Sequence, residues 1–249
     1  MLPLWEAGAG VAAISFPDYR GAANHRTYLL PVPVFIYRGD IFQVDREKIR
    51  GLLLKRRHAE LDISISGSVP ARSDGNPVRE GMPDLDPTLE IGPTLNVSLV
   101  DTAYSKLTLR LPLRAVIASD FHSIRSAGAL ANPNLNLDMK ALRDWRLGLV
   151  AGALFANRKY HEHFYGVGPP FARPDRGAYS APGGYSGAQF IAALSKRFEP
   201  VWVAGFIKYD ALKGAAFASS PLVERRNNFS AGVAVTWVFA QSEIGRAHV

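Results

Sequence analysis

Hydrophobic and polar residues alternate with a period of two over residues 87–116. The apolar face of the first arm carries Leu89, Ile91, Leu95, Val97 and Leu99, and that of the second arm carries Leu107, Leu109, Leu111 and Leu113. A polar turn over residues 101–105 separates the arms. The pattern predicts an antiparallel hairpin with one apolar and one polar face. Each arm has about ten residues or more, the length that a tilted strand needs to cross a bilayer.

The polar face of this hairpin carries charged side chains. Glu90, Arg110 and Arg114 alternate with the apolar residues, so they are predicted to point away from lipid. Three charges are too many for the interior of a β-sandwich, and they suit a wet lumen. We expect Glu90 and the two arginines to neutralise one another across that lumen.

The same alternation predicts strands along the rest of the chain. They are expected over residues 5–16, 28–36, 59–68, 134–139, 147–155, 189–198, 201–212 and 229–239. Long polar loops over 71–87, 120–128, 167–187 and 219–228 separate hairpins that have short turns. Residues 41–57 fit either a hairpin or one long strand. We prefer the hairpin, because both ends of a barrel lie on the periplasmic side and the strand number must then be even.

These patterns predict an all-β fold, a transmembrane antiparallel up-and-down β-barrel of about 12 strands with long extracellular loops and short periplasmic turns. Residues 1–242 are predicted to form a single barrel domain, and residues 243–249, EIGRAHV, to be a non-native tail. An aromatic girdle is expected from Trp5, Tyr37, Trp145, Phe198, Trp202, Trp237 and Phe239.

The strand over residues 28–36 has an unusual pattern. Its apolar face carries Tyr28, Leu30, Val32, Val34 and Ile36, while Pro31 and Pro33 lie on the other face. Proline has no backbone N–H for a ladder, so this strand is predicted to be distorted or unpaired on one side.

Composition narrows the classes of function. The chain has no cysteine, which excludes disulfides, zinc–thiolate sites and thiol nucleophiles. Its net charge is +7, but the basic residues are scattered, so we expect attraction to anionic lipid or cell-wall polymers and no nucleic-acid partner. Residues 1–16 lack the basic start of a signal peptide. Because a bacterial outer-membrane protein must be exported, we expect the chain to be a mature or truncated form.

Few residues indicate chemistry. His161 and His163 would share one face of a strand and could approach one metal ion, but no further ligand can be named. Hydrolase candidates are His122 with Ser123, His58, and Ser186, without the spacing of a nucleophile elbow. We therefore predict no catalytic residue, no metal site and no cofactor.

The chain resembles the MipA/OmpV family of outer-membrane proteins, the MltA-interacting proteins. The residues that carry the resemblance are FPDYRG (16–21), YRGD (37–40), ELDISISGS (60–68), PTLEIGPTLN (87–96), RLPLRAV (110–116), NLNLD (134–138), NRKYHEHFYGV (157–167), YSAPGGYSG (179–187) and TWVF (236–239). The resemblance implies a scaffold that links a membrane-bound lytic transglycosylase to a murein polymerase. It offers no catalytic residues.

A scaffold of this kind would bind its partners through periplasmic turns. The candidate residues are Arg38, Asp40, Lys106 and Arg143, whose turns lie at the predicted periplasmic end. The basic ones favour an acidic partner or a cell-wall polymer. The alternatives are a narrow pore for small solutes, an adhesin, or a barrel enzyme that acts on lipid.

Overall fold

The computed structural model describes residues 4–38, 42–44, 49–56, 58–120, 122–141 and 144–242. Thirteen β-strands and one α-helix follow one another along the chain: β1 (Trp5–Pro17), β2 (His25–Arg38), β3 (Phe42–Val44), β4 (Ile49–Lys55), β5 (Ala59–Ser68), β6 (Thr88–Asp101), β7 (Ser105–Ser119), β8 (Ile124–Ala131), β9 (Asn134–Lys140), β10 (Arg146–Ala156), α1 (Arg158–Tyr165), β11 (Gly184–Phe198), β12 (Val201–Ala211) and β13 (Asn227–Gln241).

The strands form one antiparallel sheet that closes on itself, because β13 pairs with β1. The segments β8 and β9 occupy a single position in the ring, since both pair with β7 and both pair with β10. Asn132 and Pro133 separate them. The Asn132 N–H donates to the carbonyl oxygen of Pro112 on β7, and Pro133 has no N–H with which to continue the ladder. Thirteen segments therefore fill twelve positions, and the predicted fold class is confirmed. The hairpin preferred for residues 41–57 is also present, as β3 and β4.

Side chains of the strands alternate between lipid and lumen. Odd-numbered residues of β6, β7 and β13 point outward, among them Leu89, Leu111 and Val233, and even-numbered residues are mostly buried. Aromatic residues mark both edges of the apolar band. Phe155 contacts Tyr185 and Tyr209 contacts Phe229 near the outer edge; Trp145 contacts Phe198 and Trp237 contacts Phe239 near the edge that holds the chain ends. These belts are typical of a membrane-spanning barrel.

Two predictions about side-chain direction were wrong. The apolar face of β2 was expected to meet lipid, but Val34 and Ile36 are buried on the lumen side, while Leu29 and Phe35 point outward. Both faces of β2 are apolar, so hydrophobic periodicity could not tell them apart. Trp202, expected in the girdle, lies on the lumen side, where the guanidinium of Arg197 stacks over its ring at 5.5 Å.

Two segments differ in secondary structure from the prediction. Residues 124–128 were expected in a loop and form the first half of β8. Residues 158–165 were treated as a strand end or loop and form α1, capped by the Asn157 side chain, which accepts a hydrogen bond from the Tyr160 N–H. In a helix, residues two apart point in different directions, so His161 and His163 share no face. Within the described segments, no helix has the length and apolar character needed to span a membrane.

Candidate functional site

The long loops at the outer end pack together over the barrel. They follow β1, β5, β10 and β12, so they begin on opposite sides of the ring. Their apolar side chains form one buried cluster, which we call the outer cap: Tyr19, Ala22, Ala71, Leu85, Phe164, Tyr165, Val167, Ala181, Leu212, Ala215, Phe217 and Leu222. At its centre the rings of Tyr165 and Phe217 stack with centroids 3.6 Å apart. The outer loops therefore meet over the axial mouth of the lumen.

Two buried arginines join loops from opposite sides of the cap. Arg79 donates to the carbonyl oxygens of Pro83 and Phe164 and stacks over the ring of Tyr19 at 5.8 Å. Arg176 donates to the carbonyl oxygens of Phe171, Val78 and Glu80 at distances between 2.7 and 3.0 Å. Burial lowers the pKa of both guanidinium groups, yet these groups remain charged because the pKa of arginine starts so high. Each loop is therefore held by charge-assisted hydrogen bonds.

His161 of α1 makes two hydrogen bonds inside the cap. Its Nδ1 faces the carbonyl oxygen of Pro182, which can only accept, so Nδ1 carries the proton and Nε2 accepts from the Ser186 hydroxyl at 2.6 Å. The edge of Phe217 packs on the ring at 4.7 Å. The side chains of His161 and Ser186 are shut off from solvent, so a substrate has no access and the pair fastens α1 to β11. Burial lowers the pKa of His161.

An ion pair joins two of the three charges predicted for the lumen. Glu90 on β6 and Arg114 on β7 approach to 3.3 Å, and Arg114 also donates to the Ser64 hydroxyl on β5 at 3.0 Å. The third charge, Arg110, donates to Asn96 at 3.2 Å. All of these residues are even-numbered members of β5–β7, so the pleat points them to one side.

Further ion pairs lie above and below this level of the lumen. Near the outer end, Asp210 binds Arg20 of the cap at 2.8 Å and Lys208 at 3.1 Å. At the other end, Arg197 bridges Glu6 at 2.9 Å and Glu199 at 2.6 Å. Buried charges cost less when paired in this way, and the pairs connect strands around the ring.

The residues predicted to bind partners lie at the end with the short turns. Lys106 is the second residue of β7, with its ammonium 3.5 Å from Asp101, and both side chains are about half exposed. Arg38 is the last residue of β2. Asp40 and Arg143 lie outside the described residues.

Sequence reasoning missed the outer cap and the contact between His161 and Ser186. Both residues had been singled out, but separately, as a metal candidate and as a hydrolase candidate. Among the residues that the structure describes, no group of three or more His, Asp or Glu side chains could hold a metal ion. The sequence contained a partial signal for the contact, because His161 and Ser186 lie near the two ends of one long loop, and the ends of a loop come close together.

The family model described as MltA-interacting protein MipA matches residues 9–239. No curated protein matches the chain. Among solved structures, a NanC porin is 8% identical with a TM-score of 0.47, over 92% of this chain and 98% of that chain. A bacterial polysaccharide outer membrane secretin is 8% identical with a TM-score of 0.48, over 94% and 99%. Outer membrane phospholipase A from Escherichia coli is 12% identical with a TM-score of 0.36, over 95% and 94%.

The family match spans nearly the whole barrel, from the middle of β1 to the aromatic end of β13. The closed ring, the lipid-facing apolar band and the two aromatic edges agree with it. The chain therefore belongs to the family of MltA-interacting proteins and is an outer-membrane β-barrel protein.

Proposed function

We propose that this barrel is a non-enzymatic scaffold that holds cell-wall enzymes, a lytic transglycosylase and a murein polymerase, at the periplasmic face of the outer membrane. The family description supports the proposal, because it names an interaction with MltA. The match identifies the family, and the partners of this particular chain are part of the proposal. Lipid of the outer membrane covers the apolar band.

The outer cap is the observation that carries the proposal. A pore for small solutes needs an open axial path, and here loops from opposite sides of the ring meet in a buried apolar cluster. With the outer mouth closed, the polar surface available to soluble partners in the periplasm is the end that holds the short turns. Lys106 is exposed there, and Arg38 ends its strand there.

Basic residues at this end suit an acidic enzyme surface or an anionic cell-wall polymer. Each turn is short, so binding requires several turns together, and screening by salt weakens it. The alternative of a narrow pore predicts ion current through the purified barrel and no dependence on these residues.

A pull-down with purified periplasmic domains of the transglycosylase and the polymerase tests the scaffold. The triple change Arg38→Gln, Lys106→Gln and Arg143→Gln should weaken capture at least tenfold at about 0.1 M salt, where the Debye length is about 10 Å. A matched triple change at the outer end, Lys159→Gln, Lys213→Gln and Arg225→Gln, removes the same charge from exposed residues of the cap and should leave capture unchanged. Equal capture by both variants would contradict the proposal.

A further inference from the structure

The lipid-facing side of the barrel wall contains a groove of about 470 Å³ that crosses β9, β10, β11 and β12. Ala151 of β10 and Ala192 of β11 form its floor. Ala151 pairs with the exposed Phe190, and Ala192 pairs with the exposed Ile207. Cross-strand partners point to the same face of a sheet, so both alanine methyl groups face lipid. The volume is in the range of small-molecule sites, about 300–1,000 Å³.

The two walls of the groove differ in stiffness. One wall consists of three rings in a row, with Phe190 stacked on Tyr209 at 6.3 Å between centroids and Tyr209 against Phe229 at 5.0 Å. Because the groove lies in the apolar band, its surroundings are acyl chains, and a groove left empty would deprive its lining of contacts. A flexible acyl chain fits between these walls. The other wall consists of leucines of β7, β9 and β10: Leu107, Leu135, Leu137 and Leu149.

Polar and charged groups follow the groove at its outer end. The Tyr209 hydroxyl donates to the side-chain oxygen of Asn227 at 2.9 Å. Lys213 lies four residues beyond Tyr209, and Arg225 lies four residues before Phe229, a distance of about 13 Å along the strands. Both cations are exposed. Hydrocarbon, hydrogen-bonding groups and positive charge therefore succeed one another in the order in which a lipid presents its acyl chain, its linkage and its phosphate.

The exposed charges of the outer loops are distributed unevenly around the ring. Acidic residues near the groove are engaged elsewhere, since Glu162 pairs with Arg158 at 3.5 Å. The carboxylate of Glu224 accepts from the Ala23 N–H at 2.9 Å. An anionic headgroup is therefore attracted to the side of the groove. The exposed cations on that side are Lys159, Lys213, Arg225 and Arg226, whereas the loop between β5 and β6, on the opposite side of the ring, exposes Asp74, Glu80 and Asp84.

We propose that this groove binds a phosphorylated lipid of the outer leaflet, with one acyl chain between the leucines and the rings and with its phosphate held by Lys213 and Arg225. The groove alone would accept any acyl chain, and the cations alone would accept any anion, so selectivity requires both. Arginine and lysine are the side chains that bind phosphate most strongly. The site lies at the outer end and is independent of partner binding at the periplasmic turns.

Native mass spectrometry tests the groove by counting lipid on the full chain, released from phosphatidylcholine nanodiscs that contain a small fraction of bisphosphorylated lipid A. We expect saturable binding of one lipid A per barrel. Ala151→Phe fills the floor of the groove and should raise the half-saturating fraction at least tenfold. The control Ala115→Phe places the same ring on the lipid face of β7, where Ala115 pairs with the exposed Ile91, and should leave binding unchanged.

The same measurement tests the cations. The double change Lys213→Gln and Arg225→Gln should weaken binding of bisphosphorylated lipid A at least tenfold. Dephosphorylated lipid A should bind the unchanged barrel at least tenfold more weakly, and the double change should not weaken it further. The control double change Arg72→Gln and Lys140→Gln removes the same charge from exposed residues away from the groove and should have no effect.

Three results would overturn the proposal. Binding that rises without saturation would describe ordinary boundary lipid. Binding that needs the cations but is unaffected by Ala151→Phe would mean that the groove holds no acyl chain. Dimers of the barrel that Ala151→Phe separates would assign the groove to a second copy of the chain. Each variant is first checked for folding by its migration on an unheated gel, and Ala192→Phe replaces Ala151→Phe if that variant fails to fold.

Discussion

The ion pair of Glu90 and Arg114 is enclosed by the lumen wall, with side chains 12% and 14% exposed. The change Arg114→Gln leaves the carboxylate buried without its partner, and we expect it to lower the free energy of unfolding by about 3–5 kcal/mol. The double change Glu90→Gln and Arg114→Gln should cost clearly less, because no charge stays unpaired. Urea unfolding titrations of the singles and the double measure the difference. Lys106→Gln, in an exposed pair, serves as the control and should cost under about 1 kcal/mol.

The loss of stability caused by a charged substitution in β7 depends on whether the substituted side chain faces lipid or the lumen. Leu109 points to lipid and Thr108 to the lumen. We expect Leu109→Arg to destabilise the barrel by about 2–4 kcal/mol, and Thr108→Arg clearly less. The same unfolding titration measures both. Equal losses would mean that the faces of β7 are exchanged, which a slip of one residue would cause.

At the scale of elements, α1 is sensitive to acid. Burial lowers the pKa of His161 below its ordinary 6.5, and the same cause lowers that of His163. The unfolded cap therefore binds protons that the folded cap does not, so stability is full above about pH 6.5 and falls as the pH drops through the folded pKa values. We expect faster proteolysis of residues 157–183 at pH 5 than at pH 7.5. The variant His161→Gln should show a smaller difference between the two pH values, and an unchanged difference would point to His163.

Strands were predictable wherever one face is apolar and the other polar. β6, β7 and β13 follow this rule, and their bounds and faces agree with the alternation in the sequence. β2 broke the rule because both of its faces are apolar. β8 was hidden by its polar start, Ile124 to Ser126, where pairing with β7 overrides a weak local preference. α1 has eight residues, too few for a helical period to stand out.

At the scale of the whole molecule, the cap should block ion current. Purified barrel in a planar bilayer is expected to show no steady conductance at neutral pH. The double change Arg79→Ala and Arg176→Ala removes the buried charge-assisted bonds between the loops, each of which contributes about 1.5–3 kcal/mol, and should produce frequent openings. Exposed Arg225→Ala is the control. Steady current through the unchanged barrel would favour the pore, regardless of the result of the partner-binding experiment.

The cap could not be predicted from the sequence because its contacts join distant parts of the chain. The Tyr19 hydroxyl donates to the carbonyl oxygen of Leu222, and the Tyr165 hydroxyl donates to that of Arg20. Polar, glycine-rich loops carry little periodicity, and their packing depends on where the ring places them. The charged residues of the lumen were easier to predict than the cap, because the strands that carry them are neighbours in sequence.

The pairing of β1 with β13 also determines the order in which the barrel can be assembled. Ser242 donates its backbone N–H to the carbonyl oxygen of Trp5, so the two ends of the described chain meet at one seam. The second edge of β1 can be covered only after β13, the last strand, has been synthesised. Among neighbouring strands of the ring, β1 and β13 are the farthest apart in sequence, so their pairing carries the largest loop-closure cost. We therefore expect closure of this seam to be the last step of assembly, and a chain that ends before β13 would leave β1 with a free edge.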